Sequence, residues 1–167
     1  MFERLKTPEE LYNLKLGAAL KMEHTVLEML VANTKAARSS EVADLFRHHH
    51  DETRRQIANL AKVFAAFGWD IQASPCPAIE GIAKERKANV RKSRASVVDD
   101  VLLAGAAETE HHEIAVYENL ITHAHAMGKG DVVELLKQNL EQEQHTLAEV
   151  QQAAERAAAA SSGAPLP

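Results

Sequence analysis

Five glutamates and one histidine stand where a helical chain should place leucine. Over residues 8–37, apolar or small side chains recur three and four apart at Leu16, Ala19, Leu20, Val26, Leu27 and Leu30, and Glu23 interrupts the stripe. A second stretch reads Val42, Leu45, then His49, Glu52 and Gln56, then Leu60 or Val63 and Phe67. A third reads Leu103, Ala106, then Glu110 and Glu113, then Tyr117, Leu120 and Met127. A fourth reads Val132, Leu136, Asn139 or Leu140, then Glu143, then Leu147 and Val150. Every interruption falls near mid-helix.

A carboxylate moved from water into an apolar core costs several kcal/mol unless a cation or hydrogen bonds compensate, so five of them need a common partner. His49 supplies at most one positive charge, and no lysine or arginine shares these stripes. Two divalent or trivalent metal ions would balance the set, and carboxylate oxygens with one imidazole nitrogen suit iron first and manganese second. The expected ligands are Glu23, His49, Glu52, Glu110, Glu113 and Glu143. Gln56 and Tyr117, each one turn beyond a ligand, and His111, beside Glu110, are expected to support them by hydrogen bonding. His48 and His50, roughly 100° to either side of His49, read as exposed, as do His24, His123, His125 and His145.

These residues need long helices to position them. Thr7-Pro8-Glu9-Glu10 forms a capping box with proline in the first turn, so a helix starts near Pro8 and runs to about Ala37. Ser39-Ser40 caps a second, which stops at Gly68. Asp70, Ser74, Pro75 and Pro77 then break regularity, and a shorter helix spans about Ala78 to Lys92. Ser96, followed three residues later by Asp99, opens a third long helix ending at Gly128, and Gly130-Asp131 opens a fourth reaching about Ala157. Residues 1–158 therefore form one domain, and the small, Pro-rich end at 159–167 reads as a disordered tail. Glu23 and Glu52 lie 29 residues apart, and Glu113 and Glu143 lie 30 apart, so each hairpin brings its acids to one level. Two antiparallel hairpins joined by a long crossover make an all-α, ferritin-like four-helix bundle.

Composition agrees. The 167 residues suit one domain able to bury a core without staples. Hydrophobic residues make up 46 %, aromatics 4 %, and there are only 7 Gly and 5 Pro, which favours helices over turn-rich β structure. The single cysteine, Cys76, excludes an internal disulfide. The N-terminal segment MFERLKTPEELY lacks a secretory apolar run, so the expected compartment is the cytoplasm. No apolar stretch approaches the ~20 residues that span a bilayer. A net charge of −5 argues against nucleic acid or an anionic membrane as partner. The basic island from Lys84 to Arg94 reads as a solvated face.

From about Leu5 to Ala157 the chain resembles the YciE/YciF-type ferritin-like stress proteins. The segment FRHHHDETRRQIANL is similar to the family's His-x-x-Glu-Thr-x-x-Gln signature at His49, Glu52, Thr53 and Gln56. ETEHHEIAVY is similar to its Glu-His-x-Glu-Ile-x-x-Tyr pattern at Glu110, His111, Glu113 and Tyr117. Glu143 matches the second acid of a family Glu-Glu pair, with Gln142 replacing the first. The resemblance implies a dinuclear metal site, a homodimer and a role in stress. Ferritins, rubrerythrins and manganese catalases typically carry Glu-x-x-His on the second helix and often on the last. Here His49 precedes Glu52, and Thr146 occupies the place of a second histidine. One cysteine cannot build the four-cysteine electron-delivery centre of rubrerythrins. The leading expectation is a di-iron or iron/manganese protein reacting with peroxide or oxygen, as a ferroxidase, peroxidase or catalase-like centre. The competing expectations are a non-catalytic helical stress or interaction protein and, with nothing in the chain to indicate a shell, an iron-storage cage.

Overall fold

The computed structural model describes residues 4–162 and contains only helices among them. They are α1 (Pro8–Ala36), α2 (Ser40–Phe67), α3 (Pro77–Lys92), α4 (Val98–Ala126) and α5 (Gly130–Ser162), with a 3-10 turn at Ala95–Val97. The four long helices pack in a ring, α1 on α2, α2 on α5, α5 on α4 and α4 on α1, and α3 lies across α1 and α4. This is the expected all-α, ferritin-like bundle.

Local chemistry sets most of the boundaries. The Glu10 amide donates to Oγ1 of Thr7 at 3.1 Å and the Thr7 amide to Oε2 of Glu10 at 3.3 Å, so the capping box starts α1. Ser39 Oγ accepts the Val42 amide at 3.1 Å and starts α2. α2 ends on Gly68 at φ 68°, in the left-handed region where a side chain would be strained.

Two boundaries differ from expectation. Ser96 does not cap α4: it lies inside the 3-10 turn, and α4 begins at Val98 with no side-chain cap. Asp99, expected in the cap, instead accepts the Arg38 amide at 2.7 Å and the Ser39 amide at 2.8 Å. Its carboxylate ties the α1–α2 corner to the start of α4. The last helix also continues past the expected end of the domain at 158, through Ser162, because its alanines are strong helix formers. The rest of the expected tail, 163–167, lies outside the described residues.

Leu16, Phe46, Leu60, Leu102, Leu103, Leu120 and Leu136 are fully buried between the helices. Leu27, Leu45, Met127, Leu140 and Leu147 are only partly buried, at the edges of their stripes. At one end Phe67 stacks on Trp69 with centroids 4.3 Å apart, and Tyr12 packs against Phe67 at 5.1 Å. Among the described residues no helix is long and apolar enough to cross a membrane.

Candidate metal centre

The bundle brings all six expected ligands inside. Glu23 comes from α1, His49 and Glu52 from α2, Glu110 and Glu113 from α4 and Glu143 from α5, and none is more than 7 % exposed. Within this group, His49, Glu110, Glu113 and Glu143 each place one ligand atom in a set lying within 4.8 Å of one another. His49 Nε2 is 3.3 Å from Oε1 of Glu110 and 3.7 Å from Oε2 of Glu143.

The two remaining acids flank this core and share themselves with protein partners. Glu23 accepts the Tyr117 hydroxyl on Oε1. Glu52 accepts the Thr146 hydroxyl on Oε2 at 3.3 Å, and its Oε1 reaches toward the surface, 3.5 Å from Nε2 of the exposed His48 and 3.8 Å from Nη2 of Arg55.

Thr146 also settles how His49 points. Its hydroxyl has one proton and gives it to Glu52, so its oxygen receives the Nδ1 proton of His49 across 3.2 Å. With a cation on Nε2 the ring would keep its hydrogen on Nδ1, toward Thr146, and it is Nε2 that faces Glu110 and Glu143.

Seven buried atoms of these residues have no hydrogen-bond partner: Glu23 Oε2, His49 Nε2, Glu110 Oε2, both oxygens of Glu113 and both of Glu143. Leaving one buried polar atom unpaired costs about 1–3 kcal/mol, more when charged, and a cluster of them calls for a cation. Hard carboxylate oxygens with one imidazole are a fitting donor set for iron or manganese.

The electrostatics of the metal-free centre carry the same imprint. Burial, and then the neighbouring Glu143, Glu23 and Glu110, hold the Glu113 carboxyl well above its ordinary range. Burial and Glu23 do the same to Glu143 against the opposing pull of His49. Burial lifts Glu23 to about 7, although the Tyr117 hydrogen bond and His49 oppose it. Burial alone would depress His49, but Glu110, Glu52 and Glu143 outweigh it and raise the imidazole well above its usual value. Burial raises Glu52 too, yet His49, His48 and Thr146 outweigh that and leave it lowered. Without a cation, this core gathers protons.

The expected supporting residues divide. Tyr117 lies in the centre, bound to Glu23. Gln56 is fully buried with both amide atoms unpartnered. His111 is exposed, since one residue of helix turns it roughly 100° from Glu110. Its neighbour His112 is half-buried, 3.9 Å from the Cys76 sulfur. His24, His125 and His145 are exposed as expected, whereas His123 and His50 are half-buried. In the sequence Thr146 shows only as the absence of a histidine, and Asn139 only as a stripe position. Their spacing from Glu143, three after and four before, places both on its face.

Comparison with known proteins agrees with this architecture. The profile of DUF892, a domain of unknown function, matches residues 7–162. Protein YciF of Escherichia coli (strain K12) is 29 % identical over 144 residues, covering 85 % of this chain and 87 % of its own. The crystal structure of the E. coli stress protein YciF superposes with a TM-score of 0.88 at 28 % identity, over 92 % of this chain and 98 % of that one. YcfI from Rhodopseudomonas palustris superposes with a TM-score of 0.87 at 29 % identity, over 90 % and 98 %. A protein from Xanthomonas campestris pv. campestris, 20 % identical with a TM-score of 0.75, shares the fold. With its profile spanning nearly the whole chain, the protein belongs to the DUF892 family of YciF-like helical bundles.

Proposed function

We propose that this chain is a dinuclear metal carboxylate protein, holding iron or alternatively manganese, that reacts with peroxide or oxygen under stress. The observation that carries the reading is the set of seven unpartnered buried atoms converging from four helices. Two metal ions held by these residues would supply a paired redox centre for a small oxidant. His49 would bind through Nε2, with Glu110, Glu113 and Glu143 supplying the surrounding oxygens. Glu23 would add Oε2. Glu52 closes the centre on its surface side, between His49 within and His48 and Arg55 without. Buried leucines and valines above and below keep bulk water out, which strengthens every charge interaction inside.

The test is metal analysis of protein purified without chelator, followed by anaerobic titration with ferrous iron and exposure to peroxide or oxygen, read by absorbance. Expected are bound metal in the wild type, its loss in Glu113→Ala, and oxidation of the bound iron faster than in buffer. Substoichiometric metal, indifferent to that substitution, would sink the proposal.

One observation favours a second reading, a non-catalytic stress or interaction protein. The raised Glu113, Glu143 and Glu23 carboxyls let a metal-free core neutralise itself by taking up protons. Equal melting temperatures with and without iron or manganese at neutral pH would support it.

A further inference from the structure

A line of hydrogen bonds crosses the bundle from Glu23 to the surface. Tyr117 donates its hydroxyl to Oε1 of Glu23. Nδ2 of Asn139 donates to the Tyr117 oxygen at 3.0 Å, Nδ2 of Asn59 to Oδ1 of Asn139 at 2.9 Å, and the ammonium of Lys62 to Oδ1 of Asn59 at 3.1 Å. Asn139 and Tyr117 are fully buried, Asn59 is half-buried and Lys62 is exposed.

The direction of the line is fixed by its surroundings. A side-chain amide can be turned end for end, so its orientation has to follow from its partners. Asn139 Nδ2 also lies 3.3 Å from the backbone carbonyl of Gln56, which can only accept. Lys62 can only donate, which leaves Asn59 with its oxygen outward and its NH2 toward Asn139. Every donor therefore points inward. Because the Tyr117 oxygen already receives Asn139, its own proton is directed to Glu23, capping Oε1 and leaving Oε2 buried and unpartnered.

We infer that Asn139, supported by Asn59, is a positioning residue that makes Tyr117 an obligate donor, so that Glu23 meets a cation through one oxygen only. This rests on the reading of the centre as a metal site. An aspartate at position 139 offers an acceptor in place of the amide donor and competes for the Tyr117 proton, which releases Oε1 of Glu23 as a second ligand.

The experiment titrates the full chain with Co2+ alone and records its visible d–d absorption, which falls as added oxygens raise the coordination number. Tyr117→Phe uncaps Oε1 directly and provides the reference spectrum. Asn139→Asp is expected to reproduce that spectrum. Combining it with Tyr117→Phe should add no further spectral change, because its effect runs through the phenol. Asn59→Ala, at a half-buried position on the surface side of the line, should shift the band the same way by a smaller amount. A wild type that takes up no Co2+ overturns the metal reading and this inference with it. A wild-type spectrum left unchanged by Asn139→Asp, or by Asn59→Ala should the aspartate variant not fold, overturns this inference alone.

Discussion

The hydroxyl of Thr146 stands 3.2 Å from Nδ1 of His49, so the residue that replaces a second histidine anchors the only one in the seam. Donation of its proton to Glu52 leaves the Thr146 oxygen to hold the imidazole through Nδ1. Thr146→Val keeps the shape and removes both bonds. Its metal affinity should fall about tenfold to a hundredfold with helix content unchanged. Competition titration with Mn2+ and circular dichroism measure the two quantities, and an unaltered affinity would show that packing alone orients the ring.

Glu113 has both oxygens buried without partners, so it should cost the metal-free protein stability while serving the loaded one. Glu113→Met removes the carboxyl and its two buried, unpartnered oxygens at similar volume. The metal-free variant is expected to gain about 1–3 kcal/mol, since a buried unpaired polar group carries a penalty of that order. That corresponds to roughly 2–12 °C in Tm for a chain of this size. Its metal content should drop at the same time. A lower Tm in the metal-free variant would refute the assignment of repulsion at this site.

Acidification should stabilise the metal-free protein. Glu23, Glu113 and Glu143 sit above their ordinary value in the folded state, Glu23 at about 7, so the folded form holds more protons than the unfolded one. Their contribution is complete below the unfolded carboxyl value and is lost as pH rises through the folded values. His49, also raised, acts with the same sign. Glu52, lowered, loses its contribution only on acidification below the ordinary carboxyl range. His112, lowered by burial and then by Lys15, opposes the trend as pH falls through the ordinary histidine value. Three carboxyls and one imidazole outweigh it, so Tm should climb between about pH 8 and about pH 5.5. Saturating metal displaces those protons and should flatten or invert the slope. Differential scanning calorimetry at several pH values, with chelator and with metal, decides it; a flat metal-free profile contradicts the expectation.

Gly17 offers a test of the frame around the centre. A Cβ built there would lie 2.5 Å from Oγ of Ser74 and 2.7 Å from the carbonyl oxygen of Gln72. The segment before α3 is seated directly on the α1 backbone, and Gly17→Ala would have to displace it. A loss of about 1–3 kcal/mol is expected, the usual cost of overpacking. Urea unfolding would measure it, and wild-type stability would show that the segment yields freely.

Much of this protein is legible in its chain because helices declare themselves locally. Thr7 through Glu10, Ser39 and Gly68 mark helix ends by bonds that span only a few residues, so the first two helices fall where the residues place them. Glu23, His49, Glu52, Glu110, Glu113 and Glu143 are equally visible, since a charge repeated at core spacing stands out against leucine. The residues whose roles the sequence hides are those whose partners are remote. Asp99 reads as part of a cap, yet its oxygens are taken by the amides of Arg38 and Ser39, some 60 positions away. His111 and His112 look equivalent in sequence, and only the phase of α4 exposes one and turns the other toward Cys76.

The sequence by itself determined the number of long helices, their pairing into two hairpins and the acids that must be compensated, because periodicity and capping are local properties. Only the tertiary structure decided which four of the expected ligands converge within 4.8 Å, which oxygen of Glu23 is capped, and that Thr146 and Asn139 contact His49 and Tyr117. Those are directional contacts between helices 22 to 97 residues apart, and hydrogen-bond geometry over that distance is set by how the helices rotate and pack, not by spacing along any one of them.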